Sequence, residues 1–348
     1  MKASDTILCA PVSLKKLCRD AFEKIGVPPL DAELVTSTLI TADLRGVQSH
    51  GIIRLPVYIE KIRNGETVAD PSIFIENDFK ATALINGGNG LGQVIAAKAM
   101  RIAINKAADY GISWVGVNAS NHFGRNAYFA EMALKHDMIG TVLTVSNLNT
   151  MAPWGGLDLL LGNNPIAFAI PAKNEYPIIF DSAFSVAAKA KIIMAAQNDT
   201  PAIPDGWALD ASGLPTTNPQ KALAGILMPI GGYKGVGMSL IISILAGILN
   251  KAAFGNKVSD TNVGHAFCAI NISAFCDVEE FKKDVDSAIW QLKTARPIAN
   301  NETIRIPGEQ EYILETERIR NGIPLHINTV DSLYKLATEL GIDFTLNS

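Results

Sequence analysis

The pattern of apolar residues changes near residue 80, and this change most constrains the fold. Before it, apolar side chains recur at helical spacing, and no segment is typical of a strand. After it, short strand-like runs alternate with helical segments, as in α/β or α+β proteins. The chain is therefore predicted to join a helical module, residues 1–75, to an α/β body.

The predicted elements divide between these two parts. Helices are predicted in the module at residues 13–25, 31–44 and 54–64. Strands are predicted in the body at residues 81–86, 112–117, 139–145, 166–170, 177–180 and 267–272. Further helices are predicted at residues 93–110, 126–136, 182–194, 278–294 and, with a break, 309–346. The apolar run at residues 238–249 is shorter than the roughly 20 residues of a membrane span and is interpreted as a buried helix packed on several sides.

Composition excludes several classes of protein. The chain has 348 residues, 48% of them apolar, which is enough for a large core in one or two domains. Its formal charge is −4 without any block of like charges, so neither nucleic acid nor a membrane is expected as a partner. The four cysteines form no CxxC pair and are interpreted as reduced thiols of a cytoplasmic protein. The five histidines lack metal-binding spacing, and no metal is expected.

One histidine is a candidate proton carrier. His50 lies in the string SHGIIR at residues 49–54, and Arg54 follows it four positions later. If this segment is helical, both side chains lie on one face, a single turn apart. A proton carrier beside a fixed cation suits a small substrate that has a carboxylate next to its reacting oxygen. The alternative is a histidine at a helix end beside a solvated arginine.

A glycine-rich string, GGNGLG at residues 87–92, follows a predicted strand and begins a helix. Its spacing differs from the GxGxxG of the dinucleotide-binding fingerprint, and the next strand does not end in the acidic residue that holds a ribose. We therefore interpret it as a tight turn that needs positive φ angles, and not as a Rossmann site.

Three further strings have side chains suited to a site. His122, in NHFG at residues 121–124, follows a strand and is a second candidate acid/base or a core histidine. Lys234, in GGYKGVG at residues 231–237, suits a phosphate-binding helix start or a flexible helix entry. Asp181 at a strand end suits a ribose hydroxyl or the orientation of a histidine, and also the N-cap of the following helix.

Taken in order, these strings resemble one family, the type-2 malate/L-lactate dehydrogenases. Sulfolactate and ureidoglycolate dehydrogenases, diketogulonate reductase and cyclic ketimine reductases are also members of it. The resemblance covers about residues 12–340. It rests on an ordered set of strings: SHG with Arg54, GLGQ (90–93), NHFG (121–124), APWGG (152–156), GNNP (162–165), IPDGWA (203–208), PTT (215–217) and GYKG (232–235).

The resemblance implies a non-Rossmann fold with a mixed sheet that binds NAD(P)H. It also implies a helical module built from residues 1–75 with 310–348, a cofactor-binding body at 76–309, and a homodimer. Ser49, His50 and Arg54 match substrate-pocket positions, and His122 matches the acid/base of one branch. The positions that match cofactor contacts are Ser146, Asp181, Ser182, Ala183, Lys234, Gly235, Pro307, Gly308 and Glu309. Departures from the usual strings at residues 181–185 and 188–191 leave the choice between NAD, which we expect, and NADP open.

The sequence therefore predicts hydride transfer between a nicotinamide and a small 2-hydroxy or 2-oxo acid of malate or lactate type. Arg54 is expected to clamp the carboxylate and one histidine to carry the proton, with His50 ranked before His122. Two alternatives remain. One is reduction of a cyclic imine acid, and the other is a nucleotide-binding protein without turnover.

Overall fold

The structure, a computed structural model, describes residues 6–197, 200–259, 261–298 and 303–346. Its strands are β1 (Thr6–Cys9), β2 (Phe74–Phe79), β3 (Thr82–Asn86), β4 (Ile112–Ser120), β5 (Met138–Thr144), β6 (Ile166–Ile170), β7 (Ile178–Ser182), β8 (Ala208–Leu209), β9 (Pro215–Thr216), β10 (Ile226–Leu227), β11 (Val263–Asn271) and β12 (Ile323–His326). Its α-helices are α1 (Pro11–Lys24), α2 (Pro29–Leu44), α3 (Leu55–Arg63), α4 (Gly92–Tyr110), α5 (Asn126–Ala130), α6 (Lys189–Gln197), α7 (Pro219–Leu223), α8 (Tyr233–Ile242), α9 (Val278–Lys293), α10 (Glu309–Asn321) and α11 (Ile327–Leu340).

A seven-stranded mixed sheet in the order β2-β3-β4-β11-β5-β6-β7 forms the body. Among its described strand pairs, β3–β4 alone is parallel, and α4 connects those two strands. This topology differs from the open parallel sheet of a Rossmann fold. The predicted α/β class with a mixed, non-Rossmann sheet is confirmed.

The two chain ends pack together beside this sheet. β1 pairs antiparallel with β12, so that Cys9 lies opposite Ile323. Apolar side chains of α1, α2, α3 and α11 share one core with this ribbon. The prediction that residues 1–75 contain no strand is wrong, because β1 lies there and β2 begins at Phe74. The partner of β1 is more than 300 residues away in the chain, and no local pattern reveals it.

The turn at residues 87–92 links the sheet to the site. Gly88 and Asn89 have φ angles of 58° and 54°, which confirms the predicted tight turn. The Asn121 side-chain nitrogen donates to the carbonyl of Gly90 at 2.9 Å. The turn therefore fixes the loop that carries His122.

Three predicted helices differ in the structure, and the first of them, at residues 126–136, is α5 followed by a 3₁₀ segment to His136. The helix predicted at residues 182–194 begins only at Lys189, because β7 continues through Ser182 to complete its pairing with β6. The apolar run begins as α8 and continues through a π turn and a 3₁₀ turn to Asn250. The interpretation of this run as buried on several sides is wrong, because only 39% of the 18 residues from Tyr233 to Asn250 are buried. By length and apolar composition alone, this run is also long enough to cross a membrane, which is weak support for a span.

Candidate active site

A cavity of about 1070 Å³ is lined by residues of both the helical module and the sheet. Of the site residues that the sequence predicts, nine line it: Ser49, His50, Arg54, His122, Ser146, Asp181, Ala183, Pro307 and Gly308. Residues that are far apart in the sequence therefore meet in one concave site. A cavity of this kind with a few convergent polar groups is the usual form of a small-molecule site.

The segment that carries His50 and Arg54 is not a continuous helix. It forms two 3₁₀ turns, Gln48–His50 and Ile52–Arg54, which are separated by Gly51 in an extended conformation. The expected helical pairing of His50 with Arg54 is therefore replaced by another arrangement. Arg54 Nε donates to the carbonyl oxygen of Ser49 at 2.8 Å, which ties the guanidinium to the turn that carries His50.

A buried carboxyl group determines this break in the helix. A Cβ atom at Gly51 would lie 2.0 Å from Oδ1 of Asp43, so only glycine fits here. Asp43 is 1% exposed, and its Oδ2 accepts a hydrogen bond from the Ile52 N–H at 2.6 Å. Burial raises the pKa of Asp43 to about 7, although the Ile52 hydrogen bond and the Arg318 charge oppose the rise.

This pKa predicts a pH-dependent stability. Since the native state holds the Asp43 proton up to about pH 7 and the unfolded chain releases it near 3.9, stability falls as the pH rises through this window. The slope is at most about 1.4 kcal/mol per pH unit. Asp43→Asn keeps an acceptor for Ile52 and should flatten this dependence in urea unfolding at pH 5 and pH 8. An unchanged slope would contradict the assignment, and Asp205→Asn on an exposed loop is the control.

Two histidine rings stack in the cavity. The ring centroids of His50 and His122 are 5.3 Å apart, with an angle of 21° between the planes. Nδ1 of His50 is 2.9 Å from the Ser49 hydroxyl, and Nδ1 of His122 is 2.7 Å from the Tyr58 hydroxyl. Because a hydroxyl group holds each Nδ1, Nε2 is the nitrogen of each ring that is left for a ligand.

Both histidines are neutral at pH 7. Burial, followed by the charges of Arg54 and Arg125, lowers the pKa of His50 to about 4. Burial, followed by the charges of His50 and Arg54, lowers the pKa of His122 well below its usual range. Because the two rings stack at this distance, a proton on one of them disfavours a proton on the other.

A third histidine contacts side chains that line the cavity. His265 on β11 is fully buried between the hydroxyls of Thr144, at 2.7 Å from Nδ1, and Ser120, at 3.0 Å from Nε2. Its ring also contacts the edge of Phe123, the neighbour of His122, at 4.5 Å between centroids. Burial lowers the pKa of His265 to about 3, so a neutral ring joins the strands that carry the site.

An ion-pair network lies beside the cavity, which its members Arg45, Arg125 and Asp181 line. Arg45 contacts both Glu131, at 2.6 Å, and Glu315, at 2.9 Å. Arg125 shares Glu131 at 3.2 Å and lies 3.9 Å from Asp181. The network joins α2, α10 and the segment after α5, and so fixes the helical module against the sheet.

The predicted cofactor residues that line the cavity already have contacts within the chain. The Ser146 hydroxyl donates to the Asn163 side chain and accepts from the Asn164 N–H. Oδ2 of Asp181 accepts from the Ala127 N–H at 2.8 Å, so Asp181 caps α5 rather than the helix that follows it in sequence. Burial raises the pKa of Asp181, which favours the neutral acid.

Four of the predicted cofactor residues do not line the cavity. The Ser182 hydroxyl donates to the carbonyl of Ala183. Lys234 is exposed on the first turn of α8, and a Cβ at Gly235 would lie 2.2 Å from the Ile230 carbonyl, so this glycine allows close packing. Glu309 pairs with Lys293 at 2.8 Å and accepts from the Ile306 N–H.

Sequence reasoning missed Tyr58, Arg125 and His265. Helical spacing gives a signal for Tyr58, which follows Arg54 by four residues on α3. Arg125 follows His122 by three residues in the same loop, so the NHFG string needed only one further position. His265 lies on β11, between β4 and β5 in the sheet, and nothing in its local sequence indicates that neighbourhood.

Comparison with known proteins agrees with this architecture. The sequence profile of the malate/L-lactate dehydrogenase family matches residues 10–334. A malate/(S)-sulfolactate dehydrogenase of Methanothermus fervidus is 39% identical over 346 residues, which cover 97% of this chain and 100% of the relative. An NAD(+) ureidoglycolate dehydrogenase of Escherichia coli is 31% identical and covers 93% of each chain.

The solved structures agree as well. The sulfolactate dehydrogenase of Methanocaldococcus jannaschii superposes with a TM-score of 0.90 at 38% identity, covering 97% of this chain and 98% of that one. These relatives are named malate, sulfolactate and ureidoglycolate dehydrogenases, and such dehydrogenases imply a nicotinamide cofactor. The chain therefore belongs to the malate/L-lactate dehydrogenase family, as a 2-hydroxy acid dehydrogenase of malate/sulfolactate type.

Proposed function

We propose that this cavity transfers a hydride between a nicotinamide and a small 2-hydroxy or 2-oxo acid, with Arg54 as carboxylate clamp and His50 as proton carrier. The observation that carries the proposal is the arrangement of the stacked histidines beside Arg54 in one cavity. Among the described residues, Arg54 has no ion-pair partner. Its guanidinium is therefore available to a substrate carboxylate through two parallel hydrogen bonds.

The cavity fits a nicotinamide dinucleotide. Its volume of about 1070 Å³ slightly exceeds the roughly 300–1,000 Å³ of ordinary ligand pockets. Three neutral polar atoms of lining residues are buried without a hydrogen-bond partner: Oδ1 of Asn126, Oγ1 of Thr150 and Oε1 of Gln310. Unpaired acceptors of this kind suit an amide or ribose hydroxyls. We assign the cofactor to the wall formed by Ser146, Asp181, Ala183, Pro307 and Gly308, where a bound nicotinamide supplies or accepts the hydride.

Substrate orientation and proton transfer are assigned to side chains of the protein. Arg54 holds the carboxylate and so orients the neighbouring carbon of the substrate. His50 donates a proton to the substrate oxygen in reduction and accepts it in oxidation. His122, hydrogen-bonded to Tyr58, stays neutral and holds the His50 ring by stacking.

Substrate binding and protonation of His50 are coupled. After burial, the charges of Arg54 and Arg125 are the causes that lower the pKa of His50. An anion bound to these cations offsets their charge and raises that pKa. The proton for reduction is therefore favoured when the oxo acid is bound.

The test is a substrate panel with both cofactors. Oxaloacetate, sulfopyruvate, pyruvate and a cyclic imine acid are each supplied with NADH or NADPH, and absorbance at 340 nm is followed. We expect turnover of the 2-oxo acids, with NADH as the better cofactor. Faster turnover of the imine would support a cyclic imine acid reductase instead. Cofactor binding without turnover of any acid would support a nucleotide-binding protein.

We also propose that the protein is a cytoplasmic homodimer. The run from Tyr233 to Asn250 exposes a row of large apolar side chains, which a second copy of the chain would cover: Tyr233, Met238, Leu240, Ile241, Ile244, Ile248 and Leu249. All four cysteines are free, as expected in a reducing compartment. A monomer in sedimentation experiments at micromolar concentration would contradict the dimer.

A further inference from the structure

We infer that Arg125 forms a second anion-binding position in this cavity, which selects acids with two anionic groups over monocarboxylates. The inference rests on the proposed function and assigns its specificity to one residue. Oxo acids with a second carboxylate or a sulfonate are the substrates that such a position would favour.

The two cations come from different parts of the fold. Arg54 follows His50 by four residues in the helical module, and Arg125 follows His122 by three residues in the body. The two rings stack at 5.3 Å, and both arginines line the cavity around them. An acid whose reacting carbon lies at the histidine pair therefore has one cation from each part of the fold.

The Arg125 guanidinium is held in place by Glu131, but one of its nitrogens lacks a hydrogen-bond partner among the described residues. It is 7% exposed, and its Nη2 donates to Glu131 at 3.2 Å. Its Nη1 is buried without any hydrogen-bond partner among the described residues. An unpaired N–H of a buried guanidinium is costly, and an anionic oxygen is the partner that best relieves this cost.

The carboxylates near Arg125 do not fully offset its charge. Glu131 is shared with Arg45, to which both of its oxygens are bonded at 2.5 and 2.6 Å. Asp181 lies 3.9 Å from Arg125 Nε, which is beyond hydrogen-bond distance, and burial raises the pKa of its carboxyl group. Arg125 therefore retains positive charge for a ligand.

The experiment compares two four-carbon oxo acids that differ only at the far end. Oxaloacetate ends in a carboxylate and 2-oxobutanoate in a methyl group. The ratio of their kcat/KM values is measured for the wild-type protein, Arg125→Gln, Arg125→Lys and the control Arg305→Gln, an exposed arginine that lines the same cavity. Calorimetry with malonate and acetate, on protein saturated with the oxidised cofactor, gives a second readout that does not depend on turnover.

Arg125→Gln should lower the oxaloacetate to 2-oxobutanoate ratio by roughly 10- to 100-fold, the usual effect of losing a hydrogen bond to a charged group. Arg125→Lys keeps the charge without the planar fork and should lower the ratio less. If Arg125→Gln does not fold, Arg125→Lys still tests whether Arg125 binds the second anionic group. Arg305→Gln should leave the ratio within about twofold, because its side chain is solvated.

Equal losses for both acids would overturn the inference, since they would mean that Arg125 only maintains the fold of the site. An unchanged ratio would overturn it as well. If the wild-type protein reduces neither acid, the proposed function fails, while the preference for malonate over acetate still tests Arg125. A wild-type protein that binds both equally well would then refute the second anion position.

Discussion

We expect Arg54→Gln to lower kcat/KM by roughly 10²- to 10³-fold for every 2-oxo acid that the protein reduces, which is the usual loss when one partner of a buried charge pair is removed. The guanidinium is fixed by its Nε bond to the Ser49 carbonyl and has no ion-pair partner among the described residues. A substrate carboxylate would therefore be the charged partner of the Arg54 guanidinium. Steady-state kinetics at 340 nm measure the effect.

Arg54→Lys should recover only part of this loss. Lysine keeps the positive charge but lacks both the planar fork and the Nε that donates to Ser49. The matched control is Arg63→Gln, at the end of helix α3, which begins directly after Arg54; its guanidinium pairs with Glu339 at the surface at 3.6 Å. Its kinetics should be those of the wild type.

A direct binding measurement distinguishes an effect of Arg54 on substrate binding from an effect on cofactor binding. Fluorescence titration with the reduced nicotinamide should give the same Kd for Arg54→Gln and the wild-type protein, because Arg54 is assigned to the carboxylate alone. Unchanged kinetics in Arg54→Gln would remove this residue from the clamp. Loss of cofactor binding would place it instead in the cofactor site.

His50→Asn should reduce kcat by roughly 10²- to 10⁴-fold, the usual contribution of a general acid or base. His122→Asn should cost less, because it removes a stacking partner and not the proton carrier. Tyr58→Phe is the matched control for His122, since it removes the 2.7 Å contact at Nδ1 but retains the ring. Activity that survives in His50→Asn but is lost in His122→Asn would reverse the two roles.

The pH dependence of reduction gives an independent check on the same residue. In the proposed mechanism, reduction needs protonated His50, and the pKa of this ring is about 4. Above that pH the protonated fraction falls about tenfold per pH unit, so kcat/KM for reduction should rise as the pH falls from 8 to 5. Oxidation needs the neutral ring, which is already present over this range, and should depend little on pH. His50→Asn should abolish the slope, and a slope that persists there would assign the proton to another group.

Much of the site was predictable because its strings are local. The segment at residues 49–54 contains both His50 and Arg54, and both line the cavity. His122 follows β4, as the position of NHFG after a strand indicates. Each of these predictions needed only residue type and position relative to one element, which neighbouring sequence determines.

The failures share a physical cause. The exposed face of the run from Tyr233 to Asn250 has the same composition as a buried helix, and only the surrounding fold shows that the residues described in the structure leave it uncovered. Asp181 caps α5, more than 50 residues earlier, and not the helix that follows it. Local patterns report burial and hydrogen-bonding capacity, but they do not report which partner supplies them.

The sequence by itself determined the α/β class, the ordered strings of the family, and the pairing of a histidine with an arginine at residues 49–54. The tertiary structure alone decided that His50 stacks on His122 and that Arg125 joins Arg54 in one cavity. It also decided that Asp43, held against Gly51, breaks the expected helix. The reason is that contacts and pKa values depend on burial and on distances to segments that are far apart in the chain. A short sequence string contains information only about the residues next to it.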